Sequence, residues 1–156
     1  MELDAINLRI LVCLQEDGRI SNQDLADKVA LSPSACLRRL RALEESGVIQ
    51  GYHVALDNER LGVEIEAFVQ VSMREDEEGW HDRFIDEVRQ WPEVSAIYIV
   101  TGESNYLLRV QARSLKQYTD FIVNKLHRTH GVMDIRSNMV LQKVKETPGG
   151  LALIRS

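Results

Sequence analysis

The segment Gly18–Gly51 constrains the fold more than any other part of the chain, because it encodes two short helices separated by a tight turn. Ser21 is placed to cap the first helix, since its hydroxyl can accept a backbone N–H and an acid follows three residues later. Ser32 can cap the second helix, and Pro33 then takes the first helical position, where a missing N–H costs nothing. We expect this helix to run to about Glu45, before the Ser-Gly pair that ends it.

The second of these helices has two distinct faces. Leucines at positions 37, 40 and 43 lie on one side. Ser34, Arg38 and Arg41 fall together on the opposite side, because residues at i, i+4 and i+7 share a face. A helix that packs across another and offers small polar residues and arginines to solvent is typical of a helix-turn-helix. The pattern therefore predicts double-stranded DNA as a partner.

The formal net charge of −5 disfavours a nucleic-acid binder. The charge is patterned, however, since Val29–Leu43 contains Arg38, Arg39 and Arg41 and no acid. Affinity for phosphate depends on local neutralisation rather than on the total charge of the chain. We therefore expect these arginines to contact DNA rather than to form only a solvated helix face, with several such helices acting together in an oligomer.

The composition is that of a globular protein, with 44% hydrophobic and 28% charged residues. Apolar runs such as Ala96–Val100 are too short to span a bilayer. The acidic start Met1–Asp4 has no basic or apolar region of a secretory signal, so we expect a cytoplasmic protein with no membrane partner. Cys13 and Cys36 have no metal-ligand spacing and are predicted to be buried, free thiols.

Two domains are predicted from the order of the motifs. A helical segment at the start of the chain completes a three-helix domain over residues 1–55. Within it, Val48–Ala55 reads as a two-stranded wing or as the ribbon that leaves the domain. Residues 56–62 form a hinge, 63–145 a second domain, and 146–156 a tail.

The second domain reads as strand–helix–strand–strand–helix–strand. Strands are predicted at Val63–Met73, Val94–Thr101, Tyr106–Ala112 and Val132–Val144. The first helix has an acidic start at Asp76-Glu77-Glu78, followed by an apolar stripe of Trp80, Phe84, Val88 and Trp91. The second helix is capped by Ser114, and its predicted buried residues are Leu115, Tyr118, Phe121, Ile122 and Leu126. This order is typical of a ferredoxin-like α+β fold with both helices on one face of an antiparallel sheet.

The central strands of this domain are apolar on both faces, notably at Ala96–Val100 and Tyr106–Leu108. The two helices can cover only one face of the sheet. We therefore expect a homodimer in which a partner subunit covers the other face.

Taken in order along both domains, the motifs resemble one known family. They are Leu3-Asp4 with Ile10-Leu11, Leu14–Arg19 leading into Ser21-Asn22, Leu31–Cys36 into Arg38-Arg39-Leu40, Leu43-Glu44, Gly47–Tyr52, and Thr101–Leu108. The chain resembles the Lrp/AsnC (leucine-responsive or feast/famine) transcription regulators of bacteria and archaea. The resemblance implies a winged helix-turn-helix domain followed by a ferredoxin-like domain of the RAM type.

The resemblance also implies an assembly of dimers, often an octamer, with an amino-acid effector bound at contacts between dimers. Carried over by position, the DNA contacts would be Ser32, Ser34, Arg38, Arg39 and Arg41. Arg38 suits the bidentate edge of guanine, and Arg39 points further round the helix, toward phosphate.

The effector site implied by the resemblance centres on the turn between the second and third strands. Its residues would be Gly102, Glu103, Asn105 and Tyr106, with Ser137 of the last strand opposite. Gly102 can take a positive φ, and exposed N–H groups of the turn can bind a carboxylate. The family often has an acid where this chain has Asn105, and an amide cannot neutralise a ligand's ammonium group.

Two alternative functions remain open from the sequence. Some siroheme decarboxylases resemble the same family, although the chain has no evident nucleophile–base pair and we expect no enzyme and no cofactor. The other alternative is a ligand-sensing interaction module without DNA binding. His127 and His130 have a spacing that can ligate a metal on a helix, but no third ligand is near and we expect surface histidines.

Overall fold

A computed structural model of the chain describes residues 3–74, 79–146 and 149–154. The chain divides into two compact units: the first combines residues 1–55 with 145–156, and the second comprises residues 56–144. The helix start expected at Asp76-Glu77-Glu78 lies outside the described residues. No helix in the described ranges is long and apolar enough to cross a membrane.

The first unit begins with three helices, α1 (Ala5–Glu16), α2 (Asn22–Val29) and α3 (Pro33–Glu45). Both predicted caps are confirmed. The Ser21 hydroxyl accepts a hydrogen bond from the Asp24 N–H at 3.1 Å, and the Ser32 hydroxyl accepts one from the Ala35 N–H at 3.3 Å. These local bonds fix where α2 and α3 begin.

A small apolar core joins the three helices. Its buried members are Ile10, Leu25, Ala26, Val29, Cys36 and Leu43. Cys36 is therefore buried as expected, but Cys13 is only half-buried; both thiols are free. The expectation of two buried thiols is wrong for Cys13, because it lies at the margin of the α1 stripe.

Two differences from the sequence-based expectation occur around this core. Val48–Ala55 forms no strand, so of the two interpretations of this segment the structure agrees with the ribbon that leaves the domain and not with the two-stranded wing. A short helix, α6 (Leu151–Ile154), contacts α1 and was not anticipated in the tail.

The second unit contains a four-stranded antiparallel sheet in the order β2-β3-β1-β4. The strands are β1 (Ile65–Met73), β2 (Val94–Ile99), β3 (Tyr106–Ala112) and β4 (Val132–Met139). The helices are α4 (Trp80–Val88) and α5 (Leu115–Asp120), which continues through a wide π turn to Lys125 and a tight turn to Arg128.

The core of this unit lies between the helices and one face of the sheet. It combines alternate residues of β1 and β3 with side chains of the helical segments, namely Ala67, Val69, Val71, Tyr106, Leu108, Val110, Phe84, Val88, Trp91, Tyr118, Phe121 and Leu126. Leu115 is 58% exposed, so its expected burial is wrong. It stands at the first turn of α5, beyond the part of the helix that reaches the sheet.

The last strand is shorter than expected. Its pairing with β1 ends at the Ala67–Met139 pair, followed by one hydrogen bond from the Val140 N–H to the Glu66 carbonyl at 2.8 Å. Leu141 and Val144 are 98% and 90% exposed. Their apolar character suits a strand, but the pairing with β1 ends before them. By the same register only Leu141 would lie opposite a residue of β1, Ile65, and Val144 lies beyond the start of that strand.

The sheet face opposite the helices is mixed rather than uniformly apolar. Phe68 and Tyr98 are exposed on it. Beside them, the Arg109 guanidinium and the Glu66 carboxylate form an ion pair at 2.9 Å. The expectation of strands apolar on both faces is therefore correct for only part of this surface.

Candidate functional site

The first candidate site is the exposed side of α3. Ser32, Ser34, Arg38 and Arg41 are all exposed. The Ser32 and Ser34 hydroxyls lie 3.3 Å apart at the start of the helix, and the arginines follow one and two turns later. This surface offers hydroxyl and guanidinium donors in a row and carries no carboxylate before Glu44. It has the donor chemistry that phosphates and the guanine edge require.

Arg39 is placed differently from its neighbours. Its guanidinium lies 2.6 Å from the Asp4 carboxylate and donates a second hydrogen bond to the Asn7 side-chain oxygen at 3.0 Å. The Asn7 N–H and the Arg39 guanidinium both donate to Asp4 and hold the pKa of its carboxyl below the usual value. Arg39 is thus bound to the start of α1, and the phosphate contact predicted for it stays a prediction.

The ribbon after α3 is attached to the helix by Tyr52. Its hydroxyl donates to the Glu44 carboxylate at 2.9 Å. Burial, together with this carboxylate, raises the pKa of Tyr52 to about 12. The phenol therefore stays protonated well into the alkaline range, and its bond to Glu44 keeps the ribbon against the last turn of α3.

The second candidate site is a recess of about 150 Å³ at the turn between β2 and β3. It is lined by Trp80, His81, Ile99, Val100, Gly102, Ser104, Asn105 and Tyr106. Gly102 has a φ of 119°, a conformation that side chains rarely adopt, so its glycine is required by the turn. Backbone bonds from Asn105 N to Val71 O and from Val100 N to Asn105 O fix the turn at the sheet's end.

The structure brings together three of the five predicted effector residues, Gly102, Asn105 and Tyr106. The Glu103 carboxylate instead pairs with the Arg136 guanidinium at 3.2 Å. The Ser137 hydroxyl accepts a hydrogen bond from the Tyr118 hydroxyl at 2.7 Å, under α5. Neither Glu103 nor Ser137 lines the recess.

Five lining residues of the recess are not among the predicted effector residues: Ile99, Val100 and Ser104 beside the turn, and Trp80 and His81 at the start of α4. Trp80 belongs to the predicted apolar stripe of α4 and packs against the core, but it is only half-buried. The His81 ring stacks on the buried Tyr106 ring at 5.5 Å, and its Nδ1 is hydrogen-bonded to the Tyr106 hydroxyl. Only the adjacency of two aromatic rings at the start of α4 could have indicated Trp80 and His81.

The environment of Tyr106 keeps its phenol neutral. Burial, and then the nearby Asp82 carboxylate, raise the pKa of Tyr106 to about 12. The recess therefore presents aromatic and aliphatic surface from Trp80 and Ile99 beside the amide and backbone groups of the turn. Such a site suits a small ligand with one apolar and one polar end.

Two further observations concern other chemistry. A larger recess of about 380 Å³ lies beside the start of β1, lined by residues 56–59, 63–66 and 140–143, and includes none of the predicted effector residues. Within the part of the chain that the structure describes, no group of three or more His, Cys, Asp or Glu side chains is placed to hold a metal ion.

Comparison with known proteins identifies both units. Residues 3–50 match the model of a winged helix-turn-helix DNA-binding domain, and residues 66–149 match that of the Lrp/AsnC ligand binding domain. The chain is 39% identical to the leucine-responsive regulatory protein of Rhizobium meliloti, over 94% of each chain. It is 42% identical to the Bkd operon transcriptional regulator of Pseudomonas aeruginosa, over 92% of this chain and 94% of that one.

Solved structures agree with these matches. A transcriptional regulator of Neisseria meningitidis in complex with L-Met has a TM-score of 0.90 and 39% identity, covering 94% of this chain and 95% of that one. The feast or famine regulatory protein of M. tuberculosis, complexed with L-methionine, has a TM-score of 0.84 and 28% identity, covering 96% and 99%. The predicted α+β architecture is confirmed, and the chain belongs to the Lrp/AsnC family as a transcriptional regulator with a helix-turn-helix DNA-binding domain and a ligand-binding domain.

Proposed function

We propose that Ser32, Ser34, Arg38 and Arg41 form the DNA contact surface of this regulator. The observation that carries the proposal is the exposure of both arginines on a helix side without a carboxylate. Arg38 is central on that side and is assigned to a guanine edge, which accepts two parallel hydrogen bonds from a guanidinium. The similar regulators come from bacteria, whose DNA lies in the cytoplasm, and this supports the cytoplasm as the proposed location.

The recess at the β2–β3 turn is the proposed effector site, with Gly102, Asn105 and Tyr106 joined by Trp80 and His81. Its mixed apolar and amide lining supports an amino-acid ligand. The L-Met complexes of the N. meningitidis and M. tuberculosis proteins support the same class of ligand. Such a ligand can shift the assembly or the DNA affinity of the protein only by as much as its own affinity differs between the alternative states.

The proposed assembly is a homodimer formed through the open sheet face, with higher assembly to an octamer. The exposed Phe68 and Tyr98 side chains on that face support the dimer. The net charge of −5 supports the use of several α3 helices at once, because one helix with two free-standing arginines neutralises few phosphates.

No enzymatic activity is proposed, because the relatives are transcriptional regulators. The siroheme-decarboxylase alternative predicts a coloured protein that binds tetrapyrroles. The interaction-module alternative predicts that α3 substitutions leave DNA binding unchanged.

The test is selection of genomic DNA fragments by the purified protein, with and without a pool of free amino acids. A palindromic site whose enrichment changes with the pool is expected. On that site, Arg38→Ala should cost about 1–3 kcal/mol of binding free energy. Arg113→Ala removes the same charge from an exposed position of the second unit and is the matched control.

Equal affinity for the wild type and Arg38→Ala would contradict the assignment of α3 as the DNA contact. Loss of affinity in Arg113→Ala to the same extent would mean that total charge, rather than this helix, drives binding. Enrichment that is indifferent to the amino acids would retain DNA binding and exclude that class of effector.

A further inference from the structure

We propose that Arg39 is a positioning residue that fixes the recognition helix against the start of α1, so that Asp4 and Asn7 set the direction of Arg38 and Arg41 without touching DNA. The inference rests on the proposed function, since it assumes that α3 is the DNA contact. It replaces the phosphate contact predicted for Arg39 by a contact within the protein.

The geometry of three side chains carries the proposal. One Asp4 carboxylate oxygen accepts the Asn7 N–H at 2.7 Å and thereby caps α1, and the other accepts the Arg39 guanidinium at 2.6 Å. The same guanidinium nitrogen donates to the Asn7 side-chain oxygen at 3.0 Å. Asn7 is buried, with 6% exposure, so its oxygen cannot turn to water instead. Arg39 therefore binds the side chains of Asp4 and Asn7, and both of these are fixed in position by the first turn of α1.

The placement of Arg39 also disfavours a role as a DNA contact. Successive helix residues are rotated by about 100°, so Arg39 cannot share the face of Arg38 and Arg41. The Arg39 side chain is 31% exposed and therefore half-buried, whereas Arg38 and Arg41 are exposed. The adjacent Asp4 carboxylate neutralises its charge and would repel a phosphate at short range. The pair can orient the helix but contributes little attraction to DNA.

The two roles predict opposite effects when the charge of Asp4 is removed. If Arg39 binds phosphate, Asp4→Asn releases it from its carboxylate and should strengthen DNA binding. If Arg39 positions α3, the same substitution weakens the attachment and should weaken DNA binding. Asparagine caps a helix about as well as aspartate, so Asp4→Asn keeps the cap of α1 while it removes the ion pair with Arg39.

The experiment measures the affinity of the full chain for a duplex carrying the wild-type protein's selected site, over a series of salt concentrations. We expect Asp4→Asn and Arg39→Gln each to lower affinity about fivefold, the size of a coupling between neighbouring groups. The slope of affinity against salt should stay as in the wild type, because no phosphate contact is lost. Asp27→Asn removes the same charge from an exposed position of α2 and should bind as the wild type does.

A second measurement separates positioning from a loss of stability. If Asp4 acts through the orientation of Arg38, then Arg38→Ala should lose less affinity in the Asp4→Asn background than in the wild type. All assays are run below the melting temperature of every variant, as checked by circular dichroism. Additive losses would indicate a general destabilisation and overturn the proposal.

The proposal is also overturned if Asp4→Asn binds DNA as tightly as the wild type or more tightly, or if Arg39→Gln lowers the salt slope by about 1, the value for one phosphate contact. Either result would leave the proposed function intact. A wild-type protein that selects no DNA at all would instead overturn the proposed function and this inference together.

Discussion

The Asn105 side-chain oxygen accepts a hydrogen bond of 2.6 Å from the Met73 N–H, which joins the β2–β3 turn to the end of β1 across 32 residues. Asn105 therefore lines the proposed effector recess and also joins the turn to the sheet. An acid at this position could make the same bond, because a carboxylate also accepts an N–H.

We expect Asn105→Asp to fold normally and to bind L-methionine more tightly, because a carboxylate neutralises the ligand's ammonium group as an amide cannot. Asn105→Ala should lose stability by about 1–3 kcal/mol, since the Met73 N–H then loses its acceptor. Calorimetric titration with L-methionine and urea unfolding measure the two effects. Weaker binding by Asn105→Asp would place the ammonium group of the ligand elsewhere.

The two serines at the start of α3 should differ in what they contribute. Ser32 caps the helix through the Ala35 N–H, so Ser32→Ala is expected to cost about 1 kcal/mol of stability as well as DNA affinity. Ser34 lies inside the first turn, and Ser34→Ala should reduce DNA affinity with almost no change in stability. Thermal melting and a DNA titration compare the variants. Equal melting temperatures for both would contradict the capping role of Ser32.

The protonation of Tyr106 gives stability a defined dependence on alkaline pH. Its pKa rises from 10.0 to about 12 on folding, so its stabilising contribution is fully present below pH 10 and is lost as the pH rises through about 12. Tyr106→Phe lacks this titration, and its unfolding free energy should fall less steeply over that interval. At neutral pH the variant should be less stable by about 0.5–1.5 kcal/mol, since the hydroxyl's bond to His81 is gone.

Urea unfolding of the wild type and Tyr106→Phe at several pH values tests this expectation. Tyr52→Phe is a useful comparison. The pKa of Tyr52 is also about 12, but its hydroxyl is bonded to Glu44 in the first unit. If the free energies of unfolding of the wild type and Tyr106→Phe fall in parallel between pH 10 and 12, then Tyr106 ionises as readily in the folded chain as in the unfolded one, and the expectation is wrong.

Features set by neighbouring residues were predictable from the sequence. The starts of α2, α3 and α5 depend on serines that accept an N–H three residues on, at Ser21, Ser32 and Ser114. The alternation in β3 likewise indicates its buried face. These signals span a few residues, so no knowledge of the rest of the chain is needed.

Features that need a distant partner were not predictable. The apolar residues after Met139 favour a strand, but whether a strand forms depends on how far β1 extends beside it. Asp4 and Arg39 are 35 positions apart in the sequence and Glu103 and Arg136 are 33 apart, so neither ion pair could be predicted from neighbouring residues. In each case a charged side chain had several possible partners, and only the folded arrangement selects one.

The division of the chain also has a consequence for its synthesis. Because the first unit combines residues 1–55 with 145–156, its last segment leaves the ribosome only after every residue of the second unit has been made. The three helices can form early, but the packing of α6 on α1 must wait until residues 151–154 have been made. The second unit is thus synthesised after residues 1–55 and before residues 145–156 of the first unit. A nascent chain that is arrested before residue 145 contains the three helices of the helix-turn-helix but lacks α6.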